Sequence, residues 1–350
     1  MKKENPFTLM FGRPPQTLVS RDNNLSEIIE SFSGTHPVSQ TYLISGVRGS
    51  GKTVLMTEVE KRLAESGDWI TVDLNINQDL MEDLANRLKD ACKRIPNYFE
   101  KGLDISAFGF SIGIGGADTN RDSVSVTENL LEYARRKGKR VLICIDEVTN
   151  GKNMRVFASQ FQIFARRDFP VFLLMTGLYE NIYSIQNDPS LTFLLRSPKI
   201  DLGPLNLRQI TGQYRRLLGM EEEEARACAE LTKGYAFAFQ ALGMLCYEYR
   251  EELAWEEILE KLDSLLDEFV YRKIWAALSE REQQIMRVVP EDGDIRTAEI
   301  CERCDMKQSS FSTYRDRLIR KGLICKSKYG SVAMALPRFK AVTQEYGEYQ

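Results

Sequence analysis

The sequence predicts an α/β protein. A parallel sheet of buried strands comes first, then a run of helices, then three helices with a β-hairpin. Three observations carry this. Gly46-Val47-Arg48-Gly49-Ser50-Gly51-Lys52-Thr53 fits G-x-x-x-x-G-K-[ST] and lies between a short apolar run and an amphipathic stretch. Val141-Leu142-Ile143-Cys144-Ile145-Asp146-Glu147 is an apolar run that ends in two carboxylates. From Ser279 onward, helix signals are followed by two short apolar runs around Tyr329-Gly330.

Composition sets the limits. A chain of 350 residues with 43% apolar and 28% charged residues is ordinary for a globular protein of two or three domains. A net charge of −3 leaves nucleic-acid binding to a local basic patch rather than to the whole molecule. No apolar run approaches the roughly 18 residues of a membrane span. The basic start, Met1 to Pro6, has no apolar signal core behind it, so the protein is expected in the cytoplasm and away from membranes. Seven cysteines are scattered along the chain. Cys144 and Cys246 sit in apolar runs and read as small core residues. Cys301-Glu302-Arg303-Cys304 lacks two further ligands at zinc spacing, so a structural role is expected. The single histidine, His36, reads as a loop residue and argues against Ser-His or Cys-His catalysis.

Residues 1–40 precede the first strand. Gly12-Arg13-Pro14-Pro15 marks irregular chain, and Asn24 to Phe32 forms a helix with Leu25, Ile28 and Ile29 on one face. This segment either folds back over a nucleotide base or packs as a simple helix on the sheet. Thr41 to Ile44 is the first strand. The glycines of 46–51 let backbone N–H groups converge on one anion. The helix that follows points its positive end at the same place, with Leu55, Val59 and Leu63 on its apolar face. By the mechanics of this motif Lys52 reaches the β- and γ-phosphates and the Thr53 hydroxyl holds Mg²⁺.

Asp68 to Leu74 is the second strand, and Asn77 to Ile95 is an amphipathic helix with Leu80, Leu84, Leu88 and Cys92 in register. Residues 103–116 alternate apolar and small residues and read as a hairpin, which either meets a partner or DNA or covers a sheet edge. Ser123 to Lys137 is helical, and Gly138 ends it. Asp146 and Glu147 leave the C-terminal end of a buried strand, where open α/β sheets bind ligands. Beside a phosphate loop, Asp146 orients Mg²⁺ and Glu147 polarises the attacking water. Met154 to Arg167 is a helix, and Val171 to Thr176 the next strand. Thr176 either senses the γ-phosphate or caps the strand. Arg196, after the apolar stretch Leu191 to Leu195, is either a functional arginine or a solvated helix end. Residues 197–202 form the last strand.

In this order the segments resemble the AAA+ superfamily, and within it the bacterial and archaeal ATPases related to origin-recognition initiators and STAND regulatory ATPases. The resemblance covers about residues 15–250. It implies a P-loop AAA+ core, an α-helical lid and ATP or ADP with Mg²⁺ as ligands. Gly46 to Thr53 matches the Walker A motif, and Asp146-Glu147 matches Walker B. Leu18-Val19-Ser20-Arg21-Asp22 looks like the family's box before the P-loop, with Ser20 where glycine is usual, so Val19 and Arg21 join the nucleotide set. Thr176 matches the sensor-1 position. Arg196 stands where an arginine finger acts on a neighbouring subunit, with Arg166 and Arg167 as rivals. Residues 204–270 look like the lid, with helices at Gln209 to Leu218, Glu222 to Thr232 and Ala236 to Glu248. The third lid helix of the family often opens with Gly-x-Pro and a sensor arginine. Gly234-Tyr235-Ala236-Phe237 has neither, which points to slow turnover.

The C-terminal part opens with the capping box Ser279-x-x-Glu282 and a helix through Val289. Pro290 to Asp294 reads as a loop, Thr297 as the cap of a helix over Ala298 to Cys304, and Gln308 to Lys321 as a third helix ended by Gly322. With strands at Leu323 to Cys325 and Val332 to Leu336, this resembles a winged helix-turn-helix. Phe311, Tyr314 and Leu318 face the core. Gln308, Ser309, Ser312, Thr313, Arg315 and Arg320 suit a major groove, and Lys326 and Lys328 suit phosphates. Lys307 to Lys328 holds seven basic residues and one acid. A protein-contact role is the alternative. The expected organisation is 1–203 ATPase core, 204–272 lid and 273–350 winged helix. Double-stranded DNA and a homo-oligomer or protein partner are the expected partners. A STAND-like signalling switch and a nucleotide-binding scaffold with little turnover stand as the other readings.

Overall fold

The computed structural model describes residues 4–10, 19–34, 37–94 and 119–347. The expected hairpin at 103–116, His36, Leu18 and residues 12–15 lie outside them. The described residues form two compact units. One joins Asp22–Ser45 to Lys52–Asp201; the other joins the chain up to Arg21, Gly46–Gly51, and the chain from Leu202 on.

The first unit is a five-stranded parallel sheet with helices. Its strands are β1 (Thr41–Ser45), β2 (Trp69–Leu74), β3 (Arg140–Ile145), β4 (Val171–Gly177) and β5 (Lys199–Asp201), in spatial order β2-β3-β4-β1-β5. All the pairings are parallel, as the continuous apolar runs predict. Its helices are α1 (Asp22–Ser33), α2 (Lys52–Glu65), α3 (Leu80–Lys93), α4 (Thr119–Arg136), α5 (Lys152–Arg166) and α6 (Tyr179–Gln186). α2 buries Leu55, Met56, Val59 and Leu63, the expected stripe with one addition. The expected helix from Asn77 starts later because Asp79 is the cap, its carboxylate accepting from the Met81 and Glu82 amides. α1 packs on α2 and drives Phe32 against Tyr42, Trp69 and Phe172. The Arg140 guanidinium donates to the Phe32 and Gly34 carbonyls at 2.6 and 3.1 Å, closing the C-terminal end of α1. The apolar stretch before Arg196 forms a 3₁₀ segment, Pro189–Arg196, capped by Asp188.

The second unit carries α7 (Leu207–Leu218), α8 (Glu222–Leu231), α9 (Ala236–Tyr249) and α10 (Trp255–Leu266). Asn206 caps α7, and Gly219, with φ of 64°, ends it. Phe7, Tyr214 and Phe239 pack ring against ring, and the Tyr214 hydroxyl donates to the Phe239 carbonyl at 2.8 Å. α10 and the π-helical turn that follows, Asp267–Tyr271, went unread in the sequence, as did α11 (Arg272–Ala276). Beyond these lie α12 (Glu280–Val288), β6 (Asp294–Arg296), α13 (Thr297–Arg303), α14 (Gln308–Arg320), β7 (Ile324–Lys326), β8 (Ser331–Met334) and α15 (Phe339–Thr343). β6, β8 and β7 form an antiparallel sheet in that order. Two expectations are corrected here. Asp294 is not loop but the first residue of a strand paired with Ala333. Thr297 is not a cap: Arg296 holds the cap position as the chain leaves β6, and the Thr297 amide donates to Gly330. Cys304 is buried and Cys301 half-buried, both as free thiols. Among the described residues no helix is long and apolar enough to cross a membrane.

Glu282 is 2% exposed and pairs with Lys321 at 3.0 Å. Burial opposes its charge, yet the Ser279 amide and the Lys321 ammonium together hold its carboxyl below the usual glutamate range. The stability it contributes is therefore present above the unfolded value, about 4.3, and lost as pH falls through the lower folded value. Lys321→Met leaves a buried carboxylate without its counter-charge and is expected to cost about 3 kcal/mol in urea unfolding at pH 7. At pH 3, where Glu282 is neutralised in the unfolded chain, the loss shrinks. An equal loss at both pH values would contradict this account.

Candidate functional site

The buried run of β3 delivers Asp146 to the C-terminal edge of the sheet. There its carboxylate gathers three donors. Thr53 Oγ1, at the start of α2, donates to Asp146 Oδ2 at 2.7 Å. Thr176 Oγ1, near the end of β4, donates to Asp146 Oδ1. The Glu147 amide donates to the same Oδ1 at 2.9 Å. The Val148 amide donates to the Thr176 carbonyl at 2.8 Å and locks the exit of β3 to β4. Thr176 is fully buried, so its hydroxyl is fixed on Asp146. Glu147 is exposed and turns out of the strand with φ of 51°, a left-handed conformation rare outside glycine. Lys52 opens α2 and is buried. The structure thus brings together Thr53, Asp146, Glu147 and Thr176, the residues predicted from sequence. Thr53 Oγ1 and Asp146 Oδ2 are two hard oxygens side by side, a donor set that fits Mg²⁺, which takes few protein ligands and leaves the rest to water and phosphate.

The loop residues Gly46–Gly51 are held within the second unit. Gly49 and Gly51 have φ of 75° and 90°, and the Ser50 amide donates to the Val47 carbonyl at 3.2 Å. Three successive carbonyls then find donors. Tyr235 Oη donates to Arg48 O at 2.5 Å, the Phe237 amide to Gly49 O at 3.1 Å, and Arg21 Nη2 to Ser50 O at 3.1 Å. Arg21 also donates to Gly203 O at 2.8 Å, and burial lowers its pKa from the ordinary arginine value. A side chain at Gly49 would collide with the Tyr235 hydroxyl, so only glycine fits. Val19 is buried in the same unit's core. The segment before the P-loop therefore reaches the loop through backbone carbonyls. Tyr235 was not singled out from sequence; an aromatic residue at a helix start carries no local signal for it.

The Aeropyrum pernix ORC2 protein, solved in ADPNP–ADP complexes, is similar at 15% identity over 96% of each chain, with a TM-score of 0.58. Its ADP form is similar at 14% identity over 97% of this chain and 96% of that one, with a TM-score of 0.51. Cdc6p from Pyrobaculum aerophilum is similar at 15% identity over 97% of this chain and 98% of that one, with a TM-score of 0.50. The chain has the AAA+ P-loop fold. Residues 268–341 match a family model described as a domain of unknown function, DUF8462. No curated protein matches the sequence significantly.

Outside the AAA+ motifs, Arg196 is exposed at the end of the 3₁₀ segment. Arg166 is exposed, whereas Arg167 is engaged with Glu128 and lies over the Phe169 ring. On α14, Phe311 and Leu318 are buried and Tyr314 half-buried, as the spacing predicts. Gln308, Ser309, Thr313 and Arg320 are exposed on the same helix, with Ser312 and Arg315 half-buried. Lys326 and Lys328 are exposed on β7 and just beyond it. Part of this charge is matched internally, by Arg315 with Asp316 at 3.0 Å and Lys328 with Asp294 at 3.6 Å.

A second cluster lies under the sheet edge. Glu60 on α2, Asp73 on β2 and Cys144 on β3 bring their acidic atoms within 4.8 Å of one another. Burial first, then the hydrogen bond with Asp73, pushes the Glu60 carboxyl up to about 8. Its folded value lies above the unfolded one, so its contribution to stability is full below about pH 4.3 and lost as pH rises toward 8. Glu60→Gln, neutral throughout, should flatten the fall in melting temperature between pH 5 and 8. A fall as steep as the wild type's would show that Glu60 does not hold the proton.

Proposed function

We propose that the chain is an ATP-binding AAA+ ATPase that couples Mg-ATP binding and hydrolysis to assembly on, or remodelling of, double-stranded DNA. Its parts are an ATPase core over 1–203, a helical lid over 204–272 and a winged helix-turn-helix over 273–350. The observation that carries the reading is the carboxylate of Asp146 held by Thr53 and Thr176, with Glu147 beside it. The fold shared with the ADP- and ADPNP-bound ORC2 protein supports it.

In this reading the glycine loop wraps the phosphates with its amides, and Lys52 offsets charge on the β- and γ-oxygens. Thr53 and Asp146 would hold Mg²⁺, which, when bound, neutralises charge developing on the phosphates. Glu147, exposed at the strand exit, accepts a proton from the attacking water. Thr176 fixes Asp146 and would report the γ-phosphate through its hold on that carboxylate. Arg196, exposed, completes the site of a neighbouring copy, which makes a homo-oligomer the active form. The stretch Gly234 to Phe237 supplies no arginine to the nucleotide, so turnover is slow. Glu147→Gln should lower ATP turnover by at least about a hundredfold while leaving ATP binding near the wild-type level, and Lys52→Ala should weaken binding itself. Wild type and Glu147→Gln turning over equally slowly would remove hydrolysis and leave a nucleotide-binding scaffold.

Gln308, Ser309, Ser312, Thr313, Arg315 and Arg320 would enter a major groove, and Lys326 and Lys328 would meet phosphates. One contact favours a second reading, a STAND-like switch in which the winged helix acts as a latch. A β-carbon at Gly322, in the turn after α14, would lie only 3.4 Å from Val47 Cβ of the P-loop. Duplex binding measured over a range of salt separates the two. The DNA reading expects a steep salt dependence that falls by about one unit of slope for each of Lys326→Ala and Lys328→Ala. Absence of duplex binding with ADP and with a non-hydrolysable ATP analogue, in a chain that stays monomeric, would leave the latch.

A further inference from the structure

We infer that Tyr235 is a positioning residue for the nucleotide: with the Phe237 amide and Arg21 it forms a collar that sets the P-loop in its phosphate-binding shape before any ligand arrives. The inference rests on the nucleotide-binding reading above. A trans peptide unit points its C=O and the next N–H to opposite sides. The carbonyls of Arg48, Gly49 and Ser50 are each bound from outside the loop, by Tyr235 Oη, the Phe237 amide and Arg21 Nη2. The N–H groups of Gly49 and Gly51 therefore face away from the collar. With positive φ at both glycines and the Ser50 amide between them turned to the Val47 carbonyl, the two glycine amides are the ones offered to an anion.

The collar is braced by the packing around Tyr235. Tyr235 is 5% exposed and stacks on Tyr271, with ring centroids 6.3 Å apart. The Tyr271 ring is packed in turn against the Phe339 ring at 4.9 Å. Burial raises the Tyr235 pKa far above the ordinary tyrosine value, so its hydroxyl remains a donor at any working pH. The Phe237 amide is one of the unsatisfied donors at the start of α9, whose cap residue Tyr235 makes no side-chain cap bond. The P-loop carbonyl of Gly49 is the cap. A loop ordered in advance binds its ligand without the entropic cost of ordering it.

The test removes one oxygen. Tyr235→Phe keeps the ring and loses the hydroxyl. ADP affinity by calorimetry should fall about tenfold, and the KM for ATP should rise by a similar factor with kcat little changed. Tyr271→Phe loses a hydroxyl from the same aromatic column, bound to Pro337 instead of the loop, and serves as the structural control. It should lower the melting temperature but keep wild-type ADP affinity. Wild-type affinity in Tyr235→Phe, or an equal loss in Tyr271→Phe, overturns the collar. Lys52→Ala separates the layers: if it too binds ADP like the wild type, the nucleotide reading itself falls and the collar with it.

Discussion

The carboxylate of Asp146 is the point on which the sheet unit's chemistry depends. It accepts hydrogen bonds from Thr53 on α2, from Thr176 on β4 and from the Glu147 amide at its own strand's exit. A charged acceptor shared by three donors ties neighbouring strand ends more firmly than backbone pairing alone, because charge-assisted hydrogen bonds are the stronger kind. The arrangement needs β3 buried and continuous, β4 beside it in parallel register, and α2 springing directly from the loop after β1. Each requirement is met by a run of residues that does little else. Val141 to Ile145 is apolar throughout, and the Ile145–Met175 pairing sets Asp146 beside Thr176.

Glu147 illustrates what this tight fixing costs. Its φ of 51° is a conformation an L residue avoids by roughly 1 kcal/mol or more. Two amides offset that cost, Glu147 donating to Asp146 and Val148 to Thr176. The result is a carboxylate that leaves the strand and stays exposed, while its neighbour one residue earlier turns in. Two adjacent acids thus occupy different surroundings, the condition for giving them different tasks.

Much of this was legible in the sequence, and most of what was not lies in contacts between distant stretches of chain. The P-loop, the Asp-Glu pair, the parallel strands and the core face of α14 are all written in spacing over a few residues. Arg21 was named only through the family's box, and its partners, like those of Tyr235 and Glu60, lie far along the chain: Ser50 and Gly203, Arg48, and Asp73 with Cys144. No local pattern encodes such a meeting. β6 escaped for a different reason, since Asp294-Ile295-Arg296 is too short to show alternation and becomes a strand only because β8 offers an edge. Asp79 shows the opposite lesson: a cap that a stricter reading of Asp followed by the Leu80 run would have found.

The Walker A motif is divided in a way its sequence does not suggest. Gly46–Gly51 are held by Arg21, Tyr235 and the α9 start, whereas Lys52 and Thr53 begin the helix that meets Asp146. The same eight residues are thus gripped at both ends by different sets of partners. A side chain at Gly49 is excluded by Tyr235, whereas a β-carbon at Gly322 would meet Val47 in ordinary van der Waals contact. Within the second unit, a change that moves the start of α9 would be felt at the backbone of Arg48 and Gly49. A loop with three successive carbonyls held in this way has few shapes open to it.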